Sequence, residues 1–412
     1  MLSGPVMIMF VLMMGSPVIA YASVANDSSS QSASTTWVPS PLAQPATPTC
    51  SPTGLCPSML LKAYDVTSLQ SAGTNGTGQT VVIVDACGSP TIAADLKTFD
   101  KHFSLANPTL NIINPQGTPC VNSGWGVETS LDVEWSHVMA PGATIDLLQA
   151  ASASSANLYG AWSYSLSHSL GNEISNSWGG SGACSASVKS ILATAKTDHV
   201  TVLASAGDSG AWGQGTTQKE QNPADCAKVL TVGGTTLTVT GTGSYVSESA
   251  WGSACISGTG TGGGGVTGVS EPSYQSSVHI TEPWSAPAVL AKPDVSAVAD
   301  PCTGVWVYDS TSGGWLVIGG TSVSCPLWAG FMADVNQVRA GNGFAAAGFV
   351  NSFLYTKVYG VSGTSVHYAA DIHDVTTGSN GWPAGPGWDA ATGIGSFIAT
   401  PLAHTLGTSA SA

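Results

Sequence analysis

Four side chains in this sequence have the types and surroundings needed to make and break a covalent bond. Ser322 stands in Gly319-Gly320-Thr321-Ser322-Val323-Ser324-Cys325-Pro326, after the apolar run Trp315 to Ile318 and before a helical pattern. Glycines without Cβ atoms let a ligand approach the backbone, and a helix N-terminus favours negative charge developing beside the serine. A serine hydroxyl needs a base before it becomes a nucleophile. Glu128 and Asp132 lie four residues apart in a segment whose pattern predicts a helix from Val127 to Met139, so they share one face. Like charges so placed repel unless they share a proton. A buried pair can act as a general base in acid, where an imidazole is already protonated. Asp208, in Ser205-Ala206-Gly207-Asp208-Ser209-Gly210, follows the apolar run Val200 to Ala204 and is expected at a strand end, where it can face the edge that carries Ser322. Taken singly, each has a plainer reading: a turn with a helix cap at Ser322, a solvated acidic helix face, and an Asx turn at Asp208.

The elements that must position these groups are legible as alternating strands and helices. Thr80 to Ala86 is a β-branched apolar run that delivers Asp85 near its carboxyl end, as buried parallel strands do. Strand-like runs recur at Thr144 to Leu148, Glu173 to Trp178, Val200 to Ala206 and Val229 to Val232, with helical patterns at Ile92 to Phe103, Ala156 to Leu170 and Ala186 to Asp198. The alternation predicts an α/β fold with a mostly parallel sheet covered on both faces. The glycine-dense Gly258 to Gly265 reads as a loop, and no Gly-x-x-x-x-Gly-Lys follows a strand, which disfavours a nucleotide site.

Composition bounds the partners. Of 412 residues 43% are hydrophobic and only 8% charged, and ten basic residues against 24 acidic ones give a net charge of −14. This charge balance disfavours nucleic acid and anionic membrane surfaces as partners. Sparse charge also limits self-repulsion in acid. Val6 to Ile19 is almost wholly apolar and is followed by Ala20-Tyr21-Ala22, so residues 1–22 read as a secretory signal, and the Ser/Thr/Ala/Pro-rich stretch 23–54 as a low-complexity tail. No later run is long enough to span a membrane. A secreted, extracellular monomer is expected, with attachment to the cell surface left open. Nine cysteines in an exported chain suggest disulfides and leave one odd thiol. Proximity suggests Cys50 with Cys56 and Cys87 with Cys120, while Cys325 reads as a buried small hydrophobe.

Taken together the pieces fall into one ordered set. The segments Thr80-Val-Val-Ile-Val-Asp85-Ala86, Glu128-x-x-Leu131-Asp132 with Ala140-Pro141-Gly142-Ala143, Ser175-x-Ser177-Trp178-Gly179-Gly180, Ala206-Gly207-Asp208-Ser209-Gly210, Val232-Gly233-Gly234-Thr235, Pro293-Asp294-Val295 and Gly319-Gly320-Thr321-Ser322-x-x-x-Pro326 occur in order from about Leu55 onward. In this the sequence resembles the sedolisin family of serine-carboxyl peptidases, in particular its kumamolisin-like members. The resemblance implies a subtilisin-like three-layer α/β fold over residues 55–412 and hydrolysis of protein or peptide substrates in acid. Ser322 is then the nucleophile, Glu128 the general base and later acid, Asp132 the group that orients Glu128, and Asp208 the oxyanion-hole acid. It also implies one structural Ca2+ in the loop 373–395, held by the carboxylates of Asp374 and Asp389 and the carbonyls of Val375, Gly385 and Gly387. Two acids and several carbonyls suit a hard cation.

Departures from the family pattern are equally visible. Asp85 stands where kumamolisin-like members carry a glutamate, the cysteine content is high, and no long prodomain is expected ahead of the catalytic region. Three other readings compete. One is an ordinary subtilisin using Asp85, a histidine and Ser322, for which His137 is the tempting base although no His-Gly-Thr-His pattern surrounds it. Another is a non-catalytic exported binding protein that keeps the fold. The third, a trypsin-like Gly-Asp-Ser-Gly with Ser209 as nucleophile, fails because Ala211 replaces the second glycine and no Ala-Ala-His-Cys segment precedes it.

Overall fold

Strand Thr80–Ala86 sets the plan of the molecule, because its side chains divide between two separate cores. Val81 and Ile83 belong to one buried cluster, and Val82, Val84 and Ala86 to the other. Successive residues of a strand point to opposite faces, so a run apolar at every position must be covered on both sides. The neighbouring strands repeat the division: Leu147 and Leu203 face the first cluster, Leu148, Val202 and Ala204 the second. The computed structural model describes Ile19–Tyr21 and residues 48–181, 183–213, 221–252, 260–278 and 288–409.

The central sheet has eight strands. From one edge they run Tyr245–Ala250, Leu230–Val239, Thr201–Ser205, Glu173–Ser175, Thr80–Ala86, Thr144–Ala150 and Leu110–Ile113, with Val295–Val298 also paired to Leu230–Val239. All pair in parallel except Tyr245–Ala250, which returns antiparallel beside Leu230–Val239. Helices Ile92–Phe103, Ser123–Met139, Thr321–Gly341 and Ala399–Gly407 contribute to the cluster on one face, and helices Ser155–His168 and Ala186–Thr197 to that on the other. The expected three-layer, subtilisin-like α/β architecture is therefore present.

Local departures from the sequence reading have physical causes. The helix expected from Val127 begins at Ser123, because the Asn122 side chain accepts hydrogen bonds from the backbone N–H groups of Gly124 (2.9 Å) and Trp125 (3.2 Å). The strand expected through Trp178 ends at Ser175, and that expected at Val229 to Val232 extends from Leu230 to Val239. The loop expected at Gly258 to Gly265 is corrected: Thr261–Ser270 is a strand, while residues 253–259 lie outside the described residues. Its glycines serve close approach rather than turning. A Cβ on Gly263 would sit 2.0 Å from the Ala206 carbonyl oxygen, beside the segment that carries Asp208.

At the N-terminus, most of the stretch read as signal and tail lies outside the described residues. Ile19–Tyr21 pairs in parallel with Val317–Gly319. Residues 48–54, read in the sequence as the end of the tail, are among the described residues. Cys50 is bonded to Cys56, Leu55 N–H donates to the Gly304 carbonyl at 2.8 Å, and Trp306 Nε1 donates to the Thr49 carbonyl at 3.2 Å. Cys87 is bonded to Cys120 as proximity suggested, and Cys184 to Cys226. Cys302 is also disulfide-bonded. Cys325 is a buried free thiol, its pKa pushed up to about 12 by burial.

Candidate active site

Helix Ser123–Met139 is buried along nearly its whole length, which removes the solvated reading of its acids. Glu128 is 1% exposed and Asp132 fully buried. Their face meets the end of strand Thr80–Ala86. Asp85 shares the side of Val81 and Ile83, so strand alternation aims it at this helix, and it too is fully buried. Three carboxyl groups from two elements thus converge where water is scarce. Burial pushes Asp85 up to about 7, opposed by the neighbouring Thr129 hydroxyl. Burial likewise holds Glu128 well above the usual carboxylate range, opposed by the neighbouring Ser322 hydroxyl and reinforced by the charges of Asp85 and Asp208. Asp132 is raised by burial and then by the charges of Asp85 and Glu128, while Ser177 acts in the other direction.

Ser322 arrives on the first turn of helix Thr321–Gly341, directly after strand Gly314–Gly319. Gly320 makes the corner at φ +111°, a conformation closed to most residues with a Cβ. The proline four residues after Ser322 also has a local consequence. Pro326 has no N–H, so the usual helical bond to the Ser322 carbonyl is missing, and that oxygen lies 3.4 Å from Ser177 Oγ instead. The single hydroxyl proton of Ser177 is better used on Asp132 Oδ1, at 2.7 Å. Ser177 belongs to the segment Ser175-x-Ser177-Trp178-Gly179-Gly180, and its contact with Asp132 makes it the brace of the carboxyl pair.

Asp208 follows strand Thr201–Ser205 and, although it is close in type to an Asx-turn residue, it reaches across to the other helix. Its Oδ1 accepts from both the backbone N–H and the hydroxyl of Thr321, each at 2.8 Å, while Gly207 N–H donates to Thr321 Oγ1 at 3.0 Å. The carboxyl therefore caps one of the orphan donors of the helix that carries Ser322. With Oδ1 occupied, a proton on Oδ2 would be free to point at a ligand. Burial pushes Asp208 up to about 6 against the lowering effect of the Thr321 contacts. Thr321 is the second group whose role only the contacts reveal.

Among the described residues no histidine joins this group. His137, the tempting base, has its Nε2 3.3 Å from Asp100 Oδ1, five residues beyond Asp132 and turned to helix Ile92–Phe103. The subtilisin arrangement of Asp85, His137 and Ser322 is thereby excluded.

Residues 112–388 match the subtilase family model. The chain belongs to that family. Among subtilases its likeness is to the sedolisin, kumamolisin-like members. It is 31% identical to kumamolisin of Bacillus sp. (strain MN-32) over 390 residues, covering 87% of this chain and 65% of that one. It is 34% identical to sedolisin of Pseudomonas sp. (strain 101) over 223 residues, or 50% of this chain and 35% of that one. The chain thus spans less than two thirds of the length of these relatives. The solved structure of Pseudomonas sedolisin complexed with two molecules of pseudo-iodotyrostatin superposes with a TM-score of 0.74 at 27% identity, covering 88% of this chain and 100% of that one.

The remaining expected site lies apart from these groups. In this subtilase the loop from Asp374 onward is closed by antiparallel pairing of Ile372–His373 with Ser396–Phe397. Gly387 N–H donates to Asp374 Oδ2 at 3.0 Å and Gly385 N–H to Asp389 Oδ2 at 3.1 Å, which draws both acids onto one loop. Burial raises Asp389 to about 6. Among the described residues no three His, Cys, Asp or Glu side chains converge as a metal group. A cation here would depend on carbonyls as well as the two carboxylates. The oxygen-only donor set fits a hard cation.

Proposed function

We propose that this subtilase is a secreted endopeptidase working in acid through Ser322, Glu128, Asp132 and Asp208. One observation carries the reading: the buried carboxyl of Glu128 is the acid neighbouring Ser322, with Asp132 and Asp85 beside it, and among the described residues no imidazole joins them. Disulfides suit an oxidising compartment, and no helix among the described residues is long and apolar enough to cross a membrane. Peptide substrates and a monomeric state complete the proposal.

In this scheme the Glu128–Asp132 pair holds one proton and one negative charge, since two adjacent buried carboxylates cannot both ionise cheaply. The Ser322 hydroxyl proton passes to Glu128 as Oγ bonds to the carbonyl carbon of the peptide. The oxygen of that carbonyl takes the negative charge and accepts a hydrogen bond from protonated Asp208. Glu128 then gives its proton to the leaving nitrogen as the C–N bond breaks, leaving an acyl ester on Ser322. Water attacks the ester by the same steps in reverse. Asp132, held by Ser177, orients Glu128 throughout.

Asp208→Ala is expected to lower kcat about 100- to 1,000-fold, the usual loss for one oxyanion donor. Asp208→Asn keeps a neutral donor and should lose less, while retaining activity to higher pH than the wild type. Equal activity of the alanine variant and the wild type on a peptide library, assayed from acid to neutral pH, would remove Asp208 from the site.

The same reading places one structural Ca2+ at Asp374 and Asp389 with the carbonyls of Val375, Gly385 and Gly387. Such an ion would neutralise the two acids and tie residues 374–389 together. A ligand at a hundredfold excess over its Kd stabilises by about 2.7 kcal/mol. Calcium should therefore raise the Tm of the wild type and not of Asp389→Asn. Identical melting with calcium and with chelator would refute the site.

A further inference from the structure

Helix Ser123–Met139 carries a second acidic face. Ser130, Glu134 and His137 recur at helical spacing and lie roughly opposite Glu128 and Asp132. They meet two other elements. Strand Val305–Asp309 presents Asp309, whose Oδ2 lies 3.5 Å from Ser130 Oγ, and the Tyr308 N–H donates to Glu134 Oε2 at 3.1 Å. Helix Ile92–Phe103 presents Asp100, beside His137, and Asp95, whose Oδ2 accepts from Ser310 N–H at 3.3 Å. Asp95, Asp100, Glu134, Asp309 and His137 are all buried. Among the described residues Glu134 Oε1 and both oxygens of Asp100 have no hydrogen-bond partner, and no lysine or arginine is paired with any of the four acids. Tyr308 and His102, the other titratable groups on these elements near the cluster, turn their rings against Trp315.

This arrangement sits at a mechanical junction. The Trp135 indole N–H also donates to the Trp306 carbonyl at 3.0 Å, so the helix is bonded to strand Val305–Asp309 on both sides of Val307. That strand pairs antiparallel with Gly314–Gly319, whose end runs through Gly320 into Ser322. The contacts of Glu134 therefore hold the helix of the proposed general base to the hairpin that delivers the proposed nucleophile. Four buried carboxyl groups with one imidazole can balance at most one negative charge, and among the described residues no lysine or arginine is paired with them to take the rest.

We propose that Glu134, with Asp309 and Asp100 facing it, is a positioning residue whose protonated carboxyl fastens the helix bearing Glu128 and Asp132 to the hairpin leading to Ser322, and whose ionisation loosens that joint. The functional consequence rests on the peptidase reading above, but the joint itself does not. Burial first, then the charges of Asp95, Asp100 and Asp309, hold Glu134 well above the usual carboxylate range, against the opposing Tyr308 N–H. A carboxyl raised in the folded state keeps its proton after the unfolded chain has released it. The native state then binds more protons, and stability falls as pH rises. The joint is intact in acid and weakens toward neutrality.

Glu134→Gln tests this, because the amide mimics the protonated acid and its oxygen can still accept from Tyr308. In a Ser322→Ala background, which removes self-digestion, the substitution is expected to leave melting in acid unchanged and to raise the Tm near neutral pH by at least about 2 °C. Asp100→Asn should act in the same direction. In the Ser322 form, Glu134→Gln should keep acid activity and lose it more slowly during neutral incubation. Equal melting of variant and parent at both pH values, or equal destabilisation at both, overturns the proposal. Absence of activity in every form would instead count against the peptidase reading and leave the melting comparison to decide the joint.

Discussion

Replacing Ser322 by alanine is expected to lower kcat for peptide hydrolysis by about a millionfold, to the residual level that binding and oxyanion contacts supply alone. The substitution removes one oxygen from a buried position on the first helical turn, where Ala is compatible with the backbone and the Thr321 contacts to Asp208 remain. Folding should therefore survive, and an unchanged circular dichroism spectrum and Tm in acid would separate chemistry from stability. The decisive measurement is turnover of a peptide library in acid by purified wild type and variant. Hydrolysis by the variant well above background would sink the assignment of Ser322. A covalent acyl adduct trapped on the wild type and absent from the variant would support it independently.

The second large effect concerns the base. Glu128→Gln keeps shape and hydrogen bonding but cannot accept the serine proton, so a loss of about 10^4-fold or more is expected. Residues that act as a unit are not additive, and the double variant with Ser322→Ala should be no worse than the single one. The same assignment fixes the pH profile. Glu128 must lose its proton to act, so activity should climb as pH rises through its titration, which burial moves upward. Asp208 must keep its proton to donate, and with its value near 6 activity should fall as pH rises above that. The expected kcat/KM profile is a bell in the acid range. A maximum at or above neutrality would contradict both roles, since Asp208 would then be an anion facing an anion.

Much of this was readable before any contact was known. The strand Thr80–Ala86, the helix Ile92–Phe103 and the two-sided sheet follow from apolar period alone, because a residue buried on either face must be apolar whatever it touches. Other features were not. The run Gly258 to Gly265 reads as a loop because glycine density signals turns, whereas the close approach of Ala206 to Gly263 is a property of the neighbour and leaves no period in the sequence. Ser177 and Thr321 carry no local sign of their partners, which stand 45 and 113 positions away. Glu134 shows the same limit. Its spacing from Glu128 and Asp132 places it on another helix face, but only the arrival of Asp95, Asp100 and Asp309 from two other elements makes it a buried acid without a cation.

By itself, then, the sequence determined the parts: a three-layer α/β chain, four reactive groups in order, a carboxyl pair on one helix face, and a serine at a glycine corner. These are matters of spacing and local backbone, which neighbours along the chain control. The tertiary structure decided which groups share a space and how much water reaches them. It joined Asp85 to Glu128 and Asp132, set Asp208 on the helix of Ser322, and turned His137 away to Asp100. Proton affinity depends on burial and on charges brought together across the fold, so the protonation states on which the chemistry rests are properties of the folded protein.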